Sequence, residues 1–453
     1  MKGTVESKYN AMTDGILWKE ILKFCFPIML GTLVQQLYNA VDVIVVGHFV
    51  GTGALAAVGG SASTIIYMLV GFFTGVAGGV TVVISQFYGA KNDEALGKAV
   101  HTSIAFSVAG GIIFAILGIF LTPWALRVLK TPDDIMSDSK LYLSIYLGGL
   151  IFVFLYNVGS AILRAMGDTK RPLYYLIVCS VINIILDIVL VVIIPLGVAG
   201  VAIATVTAQG ISAGLTMVAL MRQKDASRLE IRKIRIDRSI FNKVVYIGLP
   251  GGFQAVMNSL SGMIMAAAVN SLGTYAVAGN TAYAKLDGIY WMVSTAFGVA
   301  ISTFVGQNYG AGKADRMRKS IGVCVLLDLS ISGGLSVIFY FLSKYMLLMF
   351  TSDPRVLEQA LMVMKAIAPY YMLVVFYDMF GGALRGVGDV MVPMIMNVIG
   401  LCVVRAVWIL TVSQSYNDIY HIIISCPVSW VITSIMFTVY FAIRFRKAFY
   451  IPN

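Results

Sequence analysis

The chain states much of its sequence twice, about 221 residues apart. Ser85-Gln86-Phe87-Tyr88-Gly89-Ala90 returns as Gly306-Gln307-Asn308-Tyr309-Gly310-Ala311. Leu163-Arg164-Ala165-Met166-Gly167-Asp168, followed by Pro172, returns as Leu384-Arg385-Gly386-Val387-Gly388-Asp389, followed by Pro393. Pro27 pairs with Pro250, and Gly51-Thr52 with Gly273-Thr274, at nearly the same offset. Anchors held in step over this distance mean a tandem duplication, so each half must be able to adopt the same fold. In a membrane protein such a repeat implies a transporter with its binding site between the halves.

A membrane protein is what the composition requires. With 59% hydrophobic and 12% charged residues and a mean hydropathy of +0.86, 453 residues carry too little polar surface to cover a soluble globule. Apolar runs long enough to cross a bilayer lie near 18–47, 54–84, 95–122, 138–163, 172–194 and 198–221, then 242–270, 277–306, 316–343, 357–384, 391–412 and 419–443. Six runs per half make both halves enter the membrane in the same direction. The expected fold is all-α and polytopic: twelve transmembrane helices in two parallel six-helix bundles, residues 1–221 and 242–453, joined by a basic linker at 222–241. The polar start, MKGTVESKYNAMTDG, lacks a signal-peptide pattern, so the first run is read as a membrane helix.

Lys and Arg are distributed unevenly. Alternate connections, including the start, the linker and the end, hold 25 of them and the others only 5. This asymmetry predicts that both termini lie in the cytoplasm of a multi-pass cell-membrane protein. A net charge of +11 spread over short loops is not a nucleic-acid groove. The five cysteines lie inside apolar runs without metal or disulfide spacing. No GxxxxGK[ST] or HExxH is present, so neither a nucleotide-driven motor nor an intramembrane metalloprotease of the HExxH type is supported.

Ionisable residues inside spanning segments are costly unless paired or hydrated, and each is a functional candidate. On the first helix Gln35, Asn39 and Asp42 share one face. On the fifth, Asn183 and Asp187 are one turn apart, and helical rise brings both acids, and Thr205 on the sixth helix, to similar depth. Carboxylate, amide and hydroxyl oxygens gathered from three helices suit a proton or a hard cation such as Na⁺. The competing reading is a set of satisfied structural groups. Lys285 and Asp287 are two apart on the eighth helix and make a poor pair within it; with Tyr38, Asn258 and Asp378 they are candidates for a substrate cavity. Asp328, Lys365 and Arg405 form no constellation in sequence, and His48, His101 and His421 are isolated, so no metal site beyond Na⁺ is expected.

The YNAVDVIVVG segment after Pro27, the SQFYGA/GQNYGA pair and the LRAMGD/LRGVGD pair together resemble multidrug and toxic compound extrusion (MATE) transporters over nearly the whole chain. The resemblance implies export of lipophilic organic cations or other amphipathic compounds driven by inward H⁺ or Na⁺, with no cofactor and no obligate protein partner beyond the lipid bilayer. Asp42, Asn183, Asp187 and Thr205 fall on positions that form a cation site in the DinF-type branch. The NorM-type branch places acids where this chain has Asn258 and Val374. A lipid-linked oligosaccharide flippase of the wider superfamily would need several embedded basic residues. A major-facilitator carrier would carry a basic signature where this chain reads YGAKNDEALGK. A non-transporting scaffold would not need paired buried acids.

Overall fold

The structure, a computed structural model, describes residues 12–416 and 418–448. Lys2 and Lys8, and the side chains of Arg446 and Lys447, all counted in the charge asymmetry, lie outside what is described. Six spans come from the first half: α1 (Leu17–Val50), α2 (Thr52–Gly89), α3 (Asp93–Val128), α4 (Asp133–Gly148 and Leu150–Ala165), α5 (Lys170–Ile193) and α6 (Gly197–Met221). Six more follow: α7 (Arg238–Asn270), α8 (Thr274–Gly310), α9 (Ala314–Leu347), α10 (Pro354–Val387), α11 (Met391–Thr411) and α12 (Ile419–Arg444). Each expected run matches one of these helices, overrunning it by at most one residue, and the protein is a membrane-embedded bundle protein.

The repeated motifs are turn chemistry. After α2, Ala90, Lys91 and Asn92 donate backbone hydrogen bonds to Gln86, Tyr88 and Phe87; after α8, Ala311, Gly312 and Lys313 donate to Gln307, Tyr309 and Asn308. The two LRxxGD turns match as closely. Gly167 and Gly388 donate to Arg164 and Arg385 at 2.8 Å each, Asp168 and Asp389 to Leu163 and Leu384 at 2.9 Å each. Gly167 (φ 89°) and Gly388 (φ 91°) occupy the left-handed region, where a side chain would be strained.

The fourth helix of each half breaks at the same register. The arms of α4 meet at 46° around Gly149, where a Cβ would stand 2.6 Å from a methyl of Val206. In α10 the break is a 3₁₀ turn, Ala368–Tyr370, containing Pro369.

The compact units do not divide at the linker. One comprises Phe26–Gly252; the other comprises Phe253 onward together with the described residues up to Cys25. Both crossings fall beside the duplicated prolines inside continuous helices, Pro27 in α1 and Pro250 in α7. Each proline removes a backbone donor and permits a bend, which lets one helix serve two units. In the first unit the start of α7 lies on α2 through glycines: a Cβ on Gly79 would meet Gly248 N at 2.4 Å, and one on Gly75 would meet Gly251 C at 2.4 Å. The linker is tied to the same unit. Glu230 N donates to His101 Nε2 (3.0 Å) and Asp237 N to Thr102 Oγ1 (3.1 Å). In the second unit the start of α1 lies on α8, with Cys25 Sγ donating to Ala296 O (3.7 Å) and Phe24 meeting Phe304 edge-on. Ahead of it, Arg316 holds the carbonyls of Met12 and Gly15, and Lys313 Nζ reaches Asp14 at 2.5 Å.

Candidate functional site

The first unit gathers the polar face of α1. Gln35, Tyr38, Asn39 and Asp42 lie on one stripe, followed at once by a π-helical turn, Val46–Val50, that ends at Gly51 (φ 116°). On α5, Asn183 and Asp187 lie one turn apart, 1% and 0% exposed, and a second π-helical turn, Ile188–Ile193, begins immediately after Asp187. π-Turns widen a helix locally and gather at functional sites. Neither was visible in the sequence, which reads there as uninterrupted apolar helix.

The carboxyls of Asp42 and Asp187 lie within hydrogen-bonding reach of each other. Two carboxylates offer no proton between them. Accordingly Asp42 Oδ1 and both Asp187 oxygens are buried without a partner, and so are Oδ1 and Nδ2 of Asn183. Five buried polar atoms on three adjoining side chains depart from the rule that such groups are satisfied. A proton shared by the acids, or a hard cation held by carboxylate and amide oxygens, fits this donor set.

The other expected members are placed less centrally. Thr205 is buried on α6, but its hydroxyl donates to Val201 O of its own helix (3.0 Å), which leaves only its lone pairs for a ligand. Asn39 is half-buried and no hydrogen bond joins it to either acid; Gln35 is exposed and lies near the buried Tyr38 hydroxyl. Sequence reasoning missed Tyr142 and Tyr146 on the first arm of α4. Both are buried, Tyr142 within the field of both acids and Tyr146 beside Tyr38. Their spacing of one turn was the available signal, lost among many aromatic residues that interface anchoring explains.

The candidates of the second unit do not form one site. Asp287 is a satisfied acceptor: Tyr371 Oη donates to Oδ1 (2.6 Å) and Trp291 Nε1 to Oδ2 (3.0 Å). Tyr290 stacks on Tyr371 with centroids 4.0 Å apart, and Trp430 stacks on the same tyrosine at 5.9 Å. Lys285 is exposed and unpaired with Asp287, as their spacing predicts. Asn258 Oδ1 accepts from Cys402 Sγ on α11 at 3.5 Å. Asp378 is half-buried, and its Oδ2 accepts from Ser294 Oγ at 2.8 Å.

Comparison with known proteins follows the duplication. The MatE family model matches residues 27–189 and 250–410. Probable multidrug resistance protein YoeA of Bacillus subtilis (strain 168) is 29% identical over 392 residues, covering 85% of this chain and 84% of that protein. Probable multidrug resistance protein YpnP of the same strain is 28% identical over 393 residues, covering 87% and 88%. The solved structure of a MOP superfamily transporter from Pyrococcus furiosus superposes with a TM-score of 0.89 over 97% of this chain and 98% of its own, at 19% identity.

Proposed function

The chain belongs to the MatE family of multidrug transporters, and from that membership we propose that it exports lipophilic organic cations or other amphipathic small molecules in exchange for H⁺ or Na⁺. The observation that carries the coupling is the facing of Asp42 and Asp187 with their buried oxygens lacking donors. A carboxylate pair in this state is stabilised by one positive charge, so binding and release of that charge can change how α1 packs on α5. The two π-helical turns beside the acids support this reading, since irregular helical backbone there can accommodate such a change.

In this reading the bundle alternates access between the two faces of a cell membrane, with both termini cytoplasmic. Entry of the ion from outside lowers affinity for the organic cation and releases it there. The position of the four residues Asp42, Asn183, Asp187 and Thr205 supports a DinF-type arrangement. A flippase of a large anionic substrate is less well supported, because basic side chains within the spans are few: Lys285, Lys365 and Arg405, with Arg164 and Arg385 towards helix ends.

The test is efflux of a fluorescent organic cation from proteoliposomes under an imposed H⁺ gradient or, separately, an imposed Na⁺ gradient. One gradient should drive export. Asp42→Asn and Asp187→Asn should each reduce that export at least tenfold at equal protein incorporation, since each removes one of the two charges that hold the ion. Full gradient-driven export by both variants would reject the assignment.

A further inference from the structure

A second pair of acids lies in the other unit, and the duplication does not account for it. Asp328 on α9 and Asp378 on α10 align with Ser107 and Asn157 of the first half, just as Asp42 and Asp187 align with Ile264 and Trp408. Each unit therefore holds a carboxylate pair that the other lacks.

Asp328 is fully buried, at 0% exposure. Its Oδ1 accepts from Ser332 Oγ on the same helix (3.0 Å), whereas its Oδ2 is buried with no partner. The groups that face it are Cys25 from α1, Tyr290 from α8, Cys324 from its own helix and Asp378 from α10. Three are uncharged at neutral pH and the fourth is another carboxyl. Asp378 is better provided for: it is half-buried, accepts from Ser294, and has the Arg385 guanidinium on its own helix as counter-charge. Tyr377 and Tyr290 complete its titratable surroundings. Gly298 leaves it room, since a Cβ there would stand 3.2 Å from Asp378 Oδ2.

Charge balance separates the two acids. The Arg385 guanidinium offsets the charge of Asp378 through space without an ion-pair contact, whereas no counter-charge faces Asp328 among the described residues, so its ionised form would be an uncompensated buried charge. A metal ion is a poor candidate, because a guanidinium stands nearby and Asp328 contributes a single free oxygen. We propose that Asp328 is a proton-binding site of the second unit, reached through the half-buried Asp378. The free Oδ2 is where that proton sits. This site is independent of the Asp42/Asp187 reading.

The full-length Asp42→Asn/Asp187→Asn protein isolates it. Infrared difference spectra between acidic and alkaline buffer should contain a protonated-carboxyl C=O band that shifts in D₂O. Adding Asp328→Asn should remove the band; adding Asp378→Asn should leave it. The parent spectrum is decisive even if Asp328→Asn folds poorly: absence of the band there overturns the proposal. So does a band that Asp378→Asn removes and Asp328→Asn retains. Replacing potassium by sodium at constant pH should change nothing, and loss of the band in sodium would identify a metal site and reject the proton.

Discussion

Single side chains in this protein are informative where their partners are few. Asp42 and Asp187 could be recognised from the sequence because a carboxylate in an apolar run is anomalous by itself. Asp328 was equally anomalous but carried no inference, since Asp378, Ser294 and Arg385 lie 50 to 57 positions later or 34 earlier and only packing brings them together. Thr205 was chosen for its depth, and depth says nothing about where a hydroxyl donates. Outside the membrane, the Asp14–Lys313 contact gives a pH prediction. The Lys313 hydrogen bond at 2.5 Å holds the Asp14 carboxyl below its ordinary value of 3.8. A lowered carboxyl contributes stability above its ordinary value and loses it as pH falls through the folded one. Both partners are near half exposed, so the contribution is small and local. Protection of the amides of residues 12–18, measured against their intrinsic exchange rates, should be constant from neutral pH to about that value and then fall. Asp14→Asn should be weakly protected at every pH; an unchanged profile in the variant would show that the contact holds nothing.

At the level of the helix, the spans and their turns were legible because hydropathy and glycine act locally. Gly167 and Gly388 repeat because the same left-handed turn recurs, and a single sequence is enough to see it. The π-helical turns and the changes of unit at Pro27 and Pro250 were not legible, because they depend on what each helix meets. The α2–α7 contact shows the difference. Gly79 and Gly248 bring two backbones together, whereas Gly78, one residue away, has nothing within 4 Å of a Cβ position. Gly248→Val should therefore cost roughly 1–3 kcal/mol through overpacking. Gly78→Ala should be neutral or stabilising by about 0.5–1 kcal/mol, as for any helical glycine with free space. The fraction of protein that stays monodisperse in detergent after heating measures both. Equal effects of the two substitutions would mean that the close approach does not contribute to stability.

For the whole molecule, the exchange of first-helix segments makes the halves of the sequence different from the units of the fold. A fragment ending in the linker carries residues 17–25 without the α8 surface they cover, and its complement carries 238–252 without α2. Neither fragment should accumulate as a monodisperse protein when expressed alone, while the two expressed together should copurify through a tag on one of them. Stable accumulation of either fragment alone would contradict this. The same feature bears on ancestry. A half-length precursor with this topology would be complete only when two copies exchange the starts of their first helices, as in a domain-swapped homodimer. Joining two such copies through the basic linker would turn a concentration-dependent partnership into an intramolecular one.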